Sequence, residues 1–498
     1  MAGQKSFLNA VKWAYTANWG ERAFAALFTF LLAALLGPRD FGVVSLAMVY
    51  IAFVQMLLNQ GLMTALVQRK QLDDEHLDTV FWTNVGLSMG LAGLSVLFSR
   101  WWASINHLPE LVAIISTLSL CIPIEGLAIV QIARLQRQMD FKTLSIRANA
   151  SVLVGGSVGL IMAYRGYGVW ALVGQQIAKD ISALGLLWQQ GRWRPRVHFS
   201  WKHLRELMGF STSNFISQLA IFFDAQAGAI LMGTLFGPIP VGLYRIAERL
   251  VSSVTSVATS SIQSVSLPEF SRLQDKPDEL RRSIMTCIRM AATVTLPAMA
   301  GLFVVSDTTM NLMGSKWIVA SGVLKILSVL GMLMLFVMFT GPLLQALSRP
   351  HHHAALEWTR TLIGTGLLIA AGVWARSRTV EWQVNAIALA RFATGAVLVT
   401  PVFLYLLLRL GRISVRDLLK SITPSVASAA AVFVSVYLLY PSRMLSDTRP
   451  AIQLGLQVII GGVCGLTALL MLDKQLRTAL LAIVQRQTRR LAISNQVA

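Results

Sequence analysis

Apolar stretches of membrane length recur along the whole chain, separated by short connections where Lys, Arg, Gly and Pro collect. A helix needs roughly 20 mainly apolar residues to cross a bilayer. That length predicts spans near 12–36, 43–66, 79–99, 110–133, 147–164, 168–189, 208–235, 243–266, 284–305, 318–346, 354–374, 383–408, 421–440 and 453–472. The predicted fold class is an all-α integral membrane protein with about 14 transmembrane helices. The connections are too short for a large soluble domain on either side. The first apolar run carries Asn18, Glu21 and Arg22 near its start, and reads as a retained helix rather than a cleaved signal. Two further segments predict amphipathic helices lying along the headgroups. In residues 200–208, Ser200 is the cap and Leu204, Leu207 and Met208 share a face; after Lys474, Leu476, Leu480 and Ile483 precede Arg486, Arg489 and Arg490. Both suit anchoring to anionic membrane lipids.

A repeat is visible at a spacing of 200 residues. Leu35, Gly37, Pro38, Gly42 and Ala47 recur as Leu235, Gly237, Pro238, Gly242 and Ala247. In each copy Gly-Pro breaks one helix and the second glycine permits a tight return into the next. Both copies join an outward-going helix to an inward-going one, which predicts parallel rather than inverted halves. The expected organisation is a six-helix bundle over 1–190, an amphipathic linker over 191–207, a second six-helix bundle over 208–409, two additional helices over 410–472 and a basic tail over 473–498.

Composition supports a membrane solvent. Of 498 residues, 55% are hydrophobic and 13% charged, against about a quarter charged in soluble domains. A hydrocarbon surrounding leaves outward-facing Leu and Val with no need of burial. The formal charge of +20 would suggest nucleic acid in a soluble chain, but no basic, aromatic-interleaved domain stands apart from the spans. With the N-terminus inside, inner connections and tails hold 26 Lys and Arg and outer ones 8. This bias predicts both termini on the cytoplasmic side. Cys121, Cys287 and Cys464 lie far apart in apolar runs, without metal or disulfide spacing, and read as small buried hydrophobes.

Charges inside spans are the candidate chemistry. Lys12, Arg22, Lys179, Arg245, Arg249, Arg289, Lys325, Arg360 and Arg391 face only Glu21, Glu125, Asp180, Asp224, Glu248 and Glu357. An ionised group at mid-bilayer costs roughly 2.5–3.5 kcal/mol and must border a partner or water. Lys12, Arg249 and Arg289 are close enough to expected span ends to snorkel. Arg245 with Glu248, and Glu357 with Arg360, are spaced for pairing on one helix face. Arg22, Lys179, Arg360 and Arg391 are harder to dismiss, and are the candidate anion contacts of a cationic cavity. Asp180 and Asp224, carboxylates removed from water, are candidates for proton or sodium coupling. Asn214, Ser217, Gln218 and Asp224 form a polar stripe that predicts a helix facing a wet interior.

Other chemistry is missing. There is no P-loop, catalytic triad or paired-carboxylate arrangement, and no cofactor, metal site or enzyme activity is expected. Asp73, Asp74, Glu75 and Asp78 read as a solvated charge run. The consecutive His351, His352 and His353 cannot all reach one metal from a helix and predict adventitious affinity only. A membrane polymerase or glycosyltransferase would carry a long catalytic loop, and none is present. A cation-exporting antiporter would be expected to present a cavity of opposite sign.

AVKW (10–13), GPRDFGVVSLA (37–47), ALVQRK (65–70), TVFWTNVGLS (79–88), LQRQMDF (135–141), HFSW (198–201), GPIPVGLYRIAERL (237–250) and GSKWIVASGVLKIL (314–327) occur in order. With them the chain resembles bacterial Wzx-type polysaccharide flippases, related to colanic-acid and xanthan exporters, in the multidrug/oligosaccharidyl-lipid/polysaccharide superfamily. The resemblance implies a MATE-like fold of two six-helix bundles plus two helices. It implies a substrate, an oligosaccharide repeat unit on undecaprenyl pyrophosphate, moved to the periplasmic leaflet of the inner membrane. A polysaccharide polymerase and export machinery are candidate partners. The resemblance supplies no signature that assigns site residues, so those rest on span positions alone.

Overall fold

A computed structural model of the chain describes residues 20–58, 66, 73–190, 193–208, 212–439, 450–473 and 477. Lys12, the start of the first expected span and the expected amphipathic tail after Lys474 lie outside the described residues, as do the side chains of Asn214 and Ser217. Every regular element described is helical. Helix α1 covers 20–35, α2 Pro38–Leu58, α3 Asp74–Ile105, α4 Glu110–Leu118, α5 Cys121–Arg137, α6 Phe141–Tyr164, α7 Val169–Gln190 and α8 Trp201–Met208. Then follow α9 Thr212–Phe236, α10 Pro238–Arg272, α11 Pro277–Val304, α12 Ser306–Met313, α13 Ala320–Val337, α14 Thr340–Ala346, α15 Pro350–Ala375, α16 Val380–Ala393, α17 Thr400–Leu410, α18 Val415–Leu439 and α19 Pro450–Leu472.

In its described residues each expected span coincides with a helical stretch. Among the described residues ten of these stretches are long and apolar enough to cross a membrane, and the chain is a multi-pass membrane protein. The other expected spans coincide with α1, α7, α10 and α15, which carry Arg22, Lys179, Arg249 and Arg360. Three expected spans are interrupted, between α4 and α5, between α13 and α14, and between α16 and α17, the last through a π-helical turn over Thr394–Val399. In each case a proline stands in the first turn after the break: Pro123, Pro342 and Pro401. A first turn needs no intrahelical N–H donor, so proline is accepted there and nowhere deeper without a kink.

The described residues pack as two compact units. The first takes those of Met1–Ser253, Met313–Val323 and His351–Thr394. Its closest helix pair is α6 with α7. A Cβ on Gly155 would lie 2.7 Å from the Gln175 carbonyl oxygen, so only the bare glycine lets these backbones approach. The two Gly-Pro turns of the repeat also meet in this unit. A Cβ on Gly42 would overlap the carbonyl oxygen of Pro238, and a Cβ on Gly242 that of Pro38. Pro38 and Pro238 open α2 and α10, and Gly237 is left-handed at φ 85°. Beside this crossing the Trp317 indole N–H donates to the Ala33 carbonyl at 2.7 Å, and its ring meets Phe41 edge-on.

Residues 193–208 are strapped onto the start of α3. Backbone N–H groups of Arg196 and Ser200 donate to Asp78 Oδ1 at 3.0 Å and Thr79 Oγ1 at 3.1 Å, and the Trp82 indole donates to the Arg196 carbonyl at 2.8 Å. This corrects the reading of the acidic run as uniformly solvated. Asp78 and His76 are buried, and the non-helical connection over residues 193–200 leaves backbone donors that Asp78 and Thr79 satisfy.

The second unit takes the described residues of Val254–Leu312, Leu324–Pro350 and Gly395–Ala498. Phe270, Ile284, Ile288, Phe339 and Leu407 are buried together in its core. Helices α18 and α19 meet along small residues, with Ser428 Oγ donating to the Gly465 carbonyl at 2.7 Å. Its two intramembrane bases are paired, Arg289 with Asp473 and Lys325 with Asp307, and Arg281, outside the expected spans, pairs with Asp417. Arg289 therefore does not snorkel; it meets a carboxylate that is only 3% exposed.

Candidate functional site

The first unit encloses a cavity of about 530 Å3, within the usual range of small-molecule sites. Two helices supply its polar wall. Helix α7 presents Gln175, Gln176 and Lys179, and α10 presents Arg245, Glu248, Arg249 and Ser252. On α10 the offsets of three, four and seven residues keep these side chains on one face. Helix α2 contributes a mostly apolar side through Phe41, Val44 and Met48. Three bases therefore face one acid.

That acid is already engaged. Arg245 Nη1 donates to Glu248 Oε2 at 2.6 Å, and Nη2 donates to the Gln226 amide oxygen on α9. Lys179 and Arg249 have no carboxylate within ion-pair distance among the described residues. Arg249 is also exposed, its surface opening into the cavity. The expectation that it snorkels from a span end is corrected. Helix α10 begins at Pro238 rather than near 243, which places Arg249 about 16 Å along the axis.

Arg360 and Arg391 do not line this cavity. Both converge on Asp224, which is buried on α9. Arg391 straddles it, Nη2 reaching Oδ2 at 2.9 Å and Nη1 reaching Oδ1 at 3.2 Å, and Nη1 also meets the Asp224 backbone carbonyl at 2.7 Å. Arg360 Nη2 donates to the same Oδ2. The fork geometry of guanidinium suits such two-point contact with a carboxylate. Arg360 Nη1 lies 3.2 Å from Glu357 Oε2, so the pairing expected from their spacing forms, as it does for Arg245 and Glu248. Gln218, on the expected polar stripe, is exposed rather than gathered with Asp224.

Asp180 belongs to a third group. It accepts from Gln176 Nε2 at 2.9 and 3.1 Å, and lies within electrostatic reach of Cys121 and, together with Glu21, of Arg147. Lys179, its sequence neighbour, points instead into the cavity. Arg22 has one guanidinium nitrogen buried without a hydrogen-bond partner among the described residues. The candidates thus fall in separate places: Lys179 in the cavity, Asp224 with Arg360 and Arg391, and Asp180 by Arg147, while Arg22 is not among the residues that line the cavity. Span reading missed Gln175, Gln176 and Arg249 in the cavity and Arg147 beside Asp180. The run of polar positions at three- and four-residue offsets on α10 was the available signal. Among the described residues no group of His, Cys, Asp and Glu is arranged to hold a metal ion.

A charged cavity within a multi-pass membrane protein defines the candidate site, and solved structures share its fold. The fold resembles the lipid II flippase MurJ in an inward closed conformation, with a TM-score of 0.71 and 14% identity over 92% of this chain and 98% of that one. It also resembles an inward-facing multidrug resistance MATE family transporter of the MOP superfamily, with a TM-score of 0.62 and 16% identity over 79% of this chain and 95% of that one. At such identities the likeness concerns the fold.

Residues 31–322, more than half of the chain, match the family described as polysaccharide biosynthesis protein, and the chain belongs to that family. It is 26% identical over 325 residues to the succinoglycan biosynthesis transport protein ExoT of Rhizobium meliloti, covering 65% of this chain and 66% of that one. It is 25% identical over 435 residues to the teichuronic acid biosynthesis protein TuaB of Bacillus subtilis, covering 86% and 88%. It is 24% identical over 353 residues to the lipopolysaccharide biosynthesis protein WzxC of Escherichia coli, covering 70% and 72%.

Proposed function

We propose that the chain is a flippase that moves oligosaccharide repeat units, linked to undecaprenyl pyrophosphate, from the cytoplasmic to the periplasmic leaflet of a bacterial inner membrane. The observation that carries this reading is the cavity face of Lys179, Arg245 and Arg249, with Glu248 its single acid. A pyrophosphate diester is anionic, and guanidinium groups bind phosphate oxygens through paired donors. Family membership and the names of ExoT and WzxC support the substrate class. The polyprenyl tail would remain in the bilayer while the sugar and pyrophosphate cross through water. The two halves expected over 1–190 and 208–409 would alternate access to the cavity, with both termini cytoplasmic by the Lys and Arg bias. Lys179, Arg249 and Arg22 are the proposed anion contacts of the resting protein. Arg360 and Arg391 join them when Asp224 no longer occupies both, and Asp180 and Asp224 are the proposed coupling carboxylates.

The test is reconstitution. In proteoliposomes carrying a fluorescent oligosaccharide on polyprenyl pyrophosphate, wild-type protein should make the inner-leaflet pool reachable by an impermeant quencher. Lys179→Gln with Arg249→Gln should abolish that gain. Transport of ethidium with no effect on the lipid-linked sugar would instead favour a multidrug antiporter of the same fold, the reading that the cavity's positive charge opposes.

A further inference from the structure

The three consecutive histidines at the start of α15 are not among the residues that line the cavity. His351 and His352 are exposed. His353 is not isolated. Its Nε2 lies 3.7 Å from Glu357 Oε1, one helical turn away. The other oxygen of Glu357, Oε2, lies 3.2 Å from Arg360 Nη1. One buried carboxylate is thus divided between an imidazole and a guanidinium. Arg360 in turn reaches Asp224 through its other terminal nitrogen, and Arg391 holds Asp224 from α16.

The charge balance of this chain of contacts is informative. Asp224 and Glu357 offset Arg360 and Arg391, so neither arginine has charge to spare. From α10 the network is faced by Arg245, Glu248 and Tyr244, where Arg245 and Glu248 form a closed pair. From α9 it is faced by Asp224 alone among ionisable groups, and from α16 by Arg391. His353 is the network's one imidazole, the side-chain type that serves as a proton switch. A protonated imidazole attracts Glu357 and competes directly with Arg360 for it. The remaining set, Asp224 with two arginines, then carries one positive charge in excess.

We propose that His353 is a positioning residue for anion binding: when protonated it draws Glu357 away from Arg360 and frees that guanidinium for a pyrophosphate oxygen. This rests on the reading of Arg360 and Arg391 as anion contacts. Proton uptake at the histidine and anion capture at the arginine become one event, which gives the flippase a proton-dependent affinity without a proton on Asp224.

The experiment uses the full chain in nanodiscs and a dimethyl pyrophosphate diester, with one methyl on each phosphorus, so that the probe's own charge does not titrate. Wild-type protein should bind it at least about tenfold more tightly at about pH 5.5 than at about pH 7.5. His353→Gln should fold and bind with the weak affinity at both pH values. His353→Arg should bind tightly at both. A His353→Gln protein that keeps the wild-type pH profile overturns the proposal while leaving the anion site standing. No binding by any variant at either pH overturns both the proposal and the cationic-site reading beneath it.

Discussion

Arg249 and Arg289 are both arginines deep within long helices, and their surroundings are opposite. Arg249, in the first unit, opens into a cavity and has no carboxylate within ion-pair distance among the described residues. Arg289, in the second, is clamped in two-point fashion by Asp473. Arg289 has its charge consumed by the fold, and Arg249 has its charge left available. Counting charged residues in apolar spans treats the two alike. Only the partner separates a structural arginine from a site arginine, and the partner lies 184 residues away in sequence.

The contrast predicts opposite consequences for the same substitution. The largest effect is expected at the paired site. Arg289→Gln leaves Asp473 buried without its counter-ion and should cost about 3–5 kcal/mol of stability, read as a lowered unfolding midpoint in detergent. The double variant with Asp473→Asn should recover most of that loss, and failure to recover it would mean the pair is not what Arg289 contributes. At the cavity, Lys179→Gln with Arg249→Gln should leave stability within about 0.5 kcal/mol of wild type. Translocation in proteoliposomes should nevertheless fall about thirtyfold or more, as expected when a charged contact to a bound anion is lost. If transport persisted at the wild-type rate, the distinction between available and consumed charge would lose its functional meaning.

Uncharged contacts extend the comparison. Gly42→Ala in the first unit forces a methyl into the Pro238 carbonyl and should destabilise by about 1–3 kcal/mol, with Gly242→Ala giving a similar loss in thermal melts. Ser428→Ala in the second unit removes one interhelical hydrogen bond and should cost only about 0.6 kcal/mol. A larger penalty at Ser428 than at Gly42 would reverse this ranking of the two seams.

The helices were legible because a bilayer imposes a length and an apolar content that any window along the chain reveals. The interruptions were legible in principle, since Pro123, Pro342 and Pro401 each follow a break. Local pairs such as Arg245 with Glu248 were readable from helical spacing alone. What failed was everything that depends on a second helix. Asp224 collects Arg360 and Arg391 from 136 and 167 residues away. Asp78 is buried because the backbone of Arg196 needs it. Arg249 was misplaced for a smaller reason: an error of five residues in the expected start of α10 moved it from the interior to the rim of a span.

The crossing of the two Gly-Pro turns has a further implication. Interlocked side chains must leave and re-enter rotamers whenever two surfaces separate, and each such step adds a barrier. Where Gly42 rests on Pro238 and Gly242 on Pro38, the mating parts are bare main chain. Such a junction parts and reseats like two flat plates, with nothing to untangle. A duplicated turn can therefore serve as its own counterpart, and any residue added to one copy spoils the seat of the other.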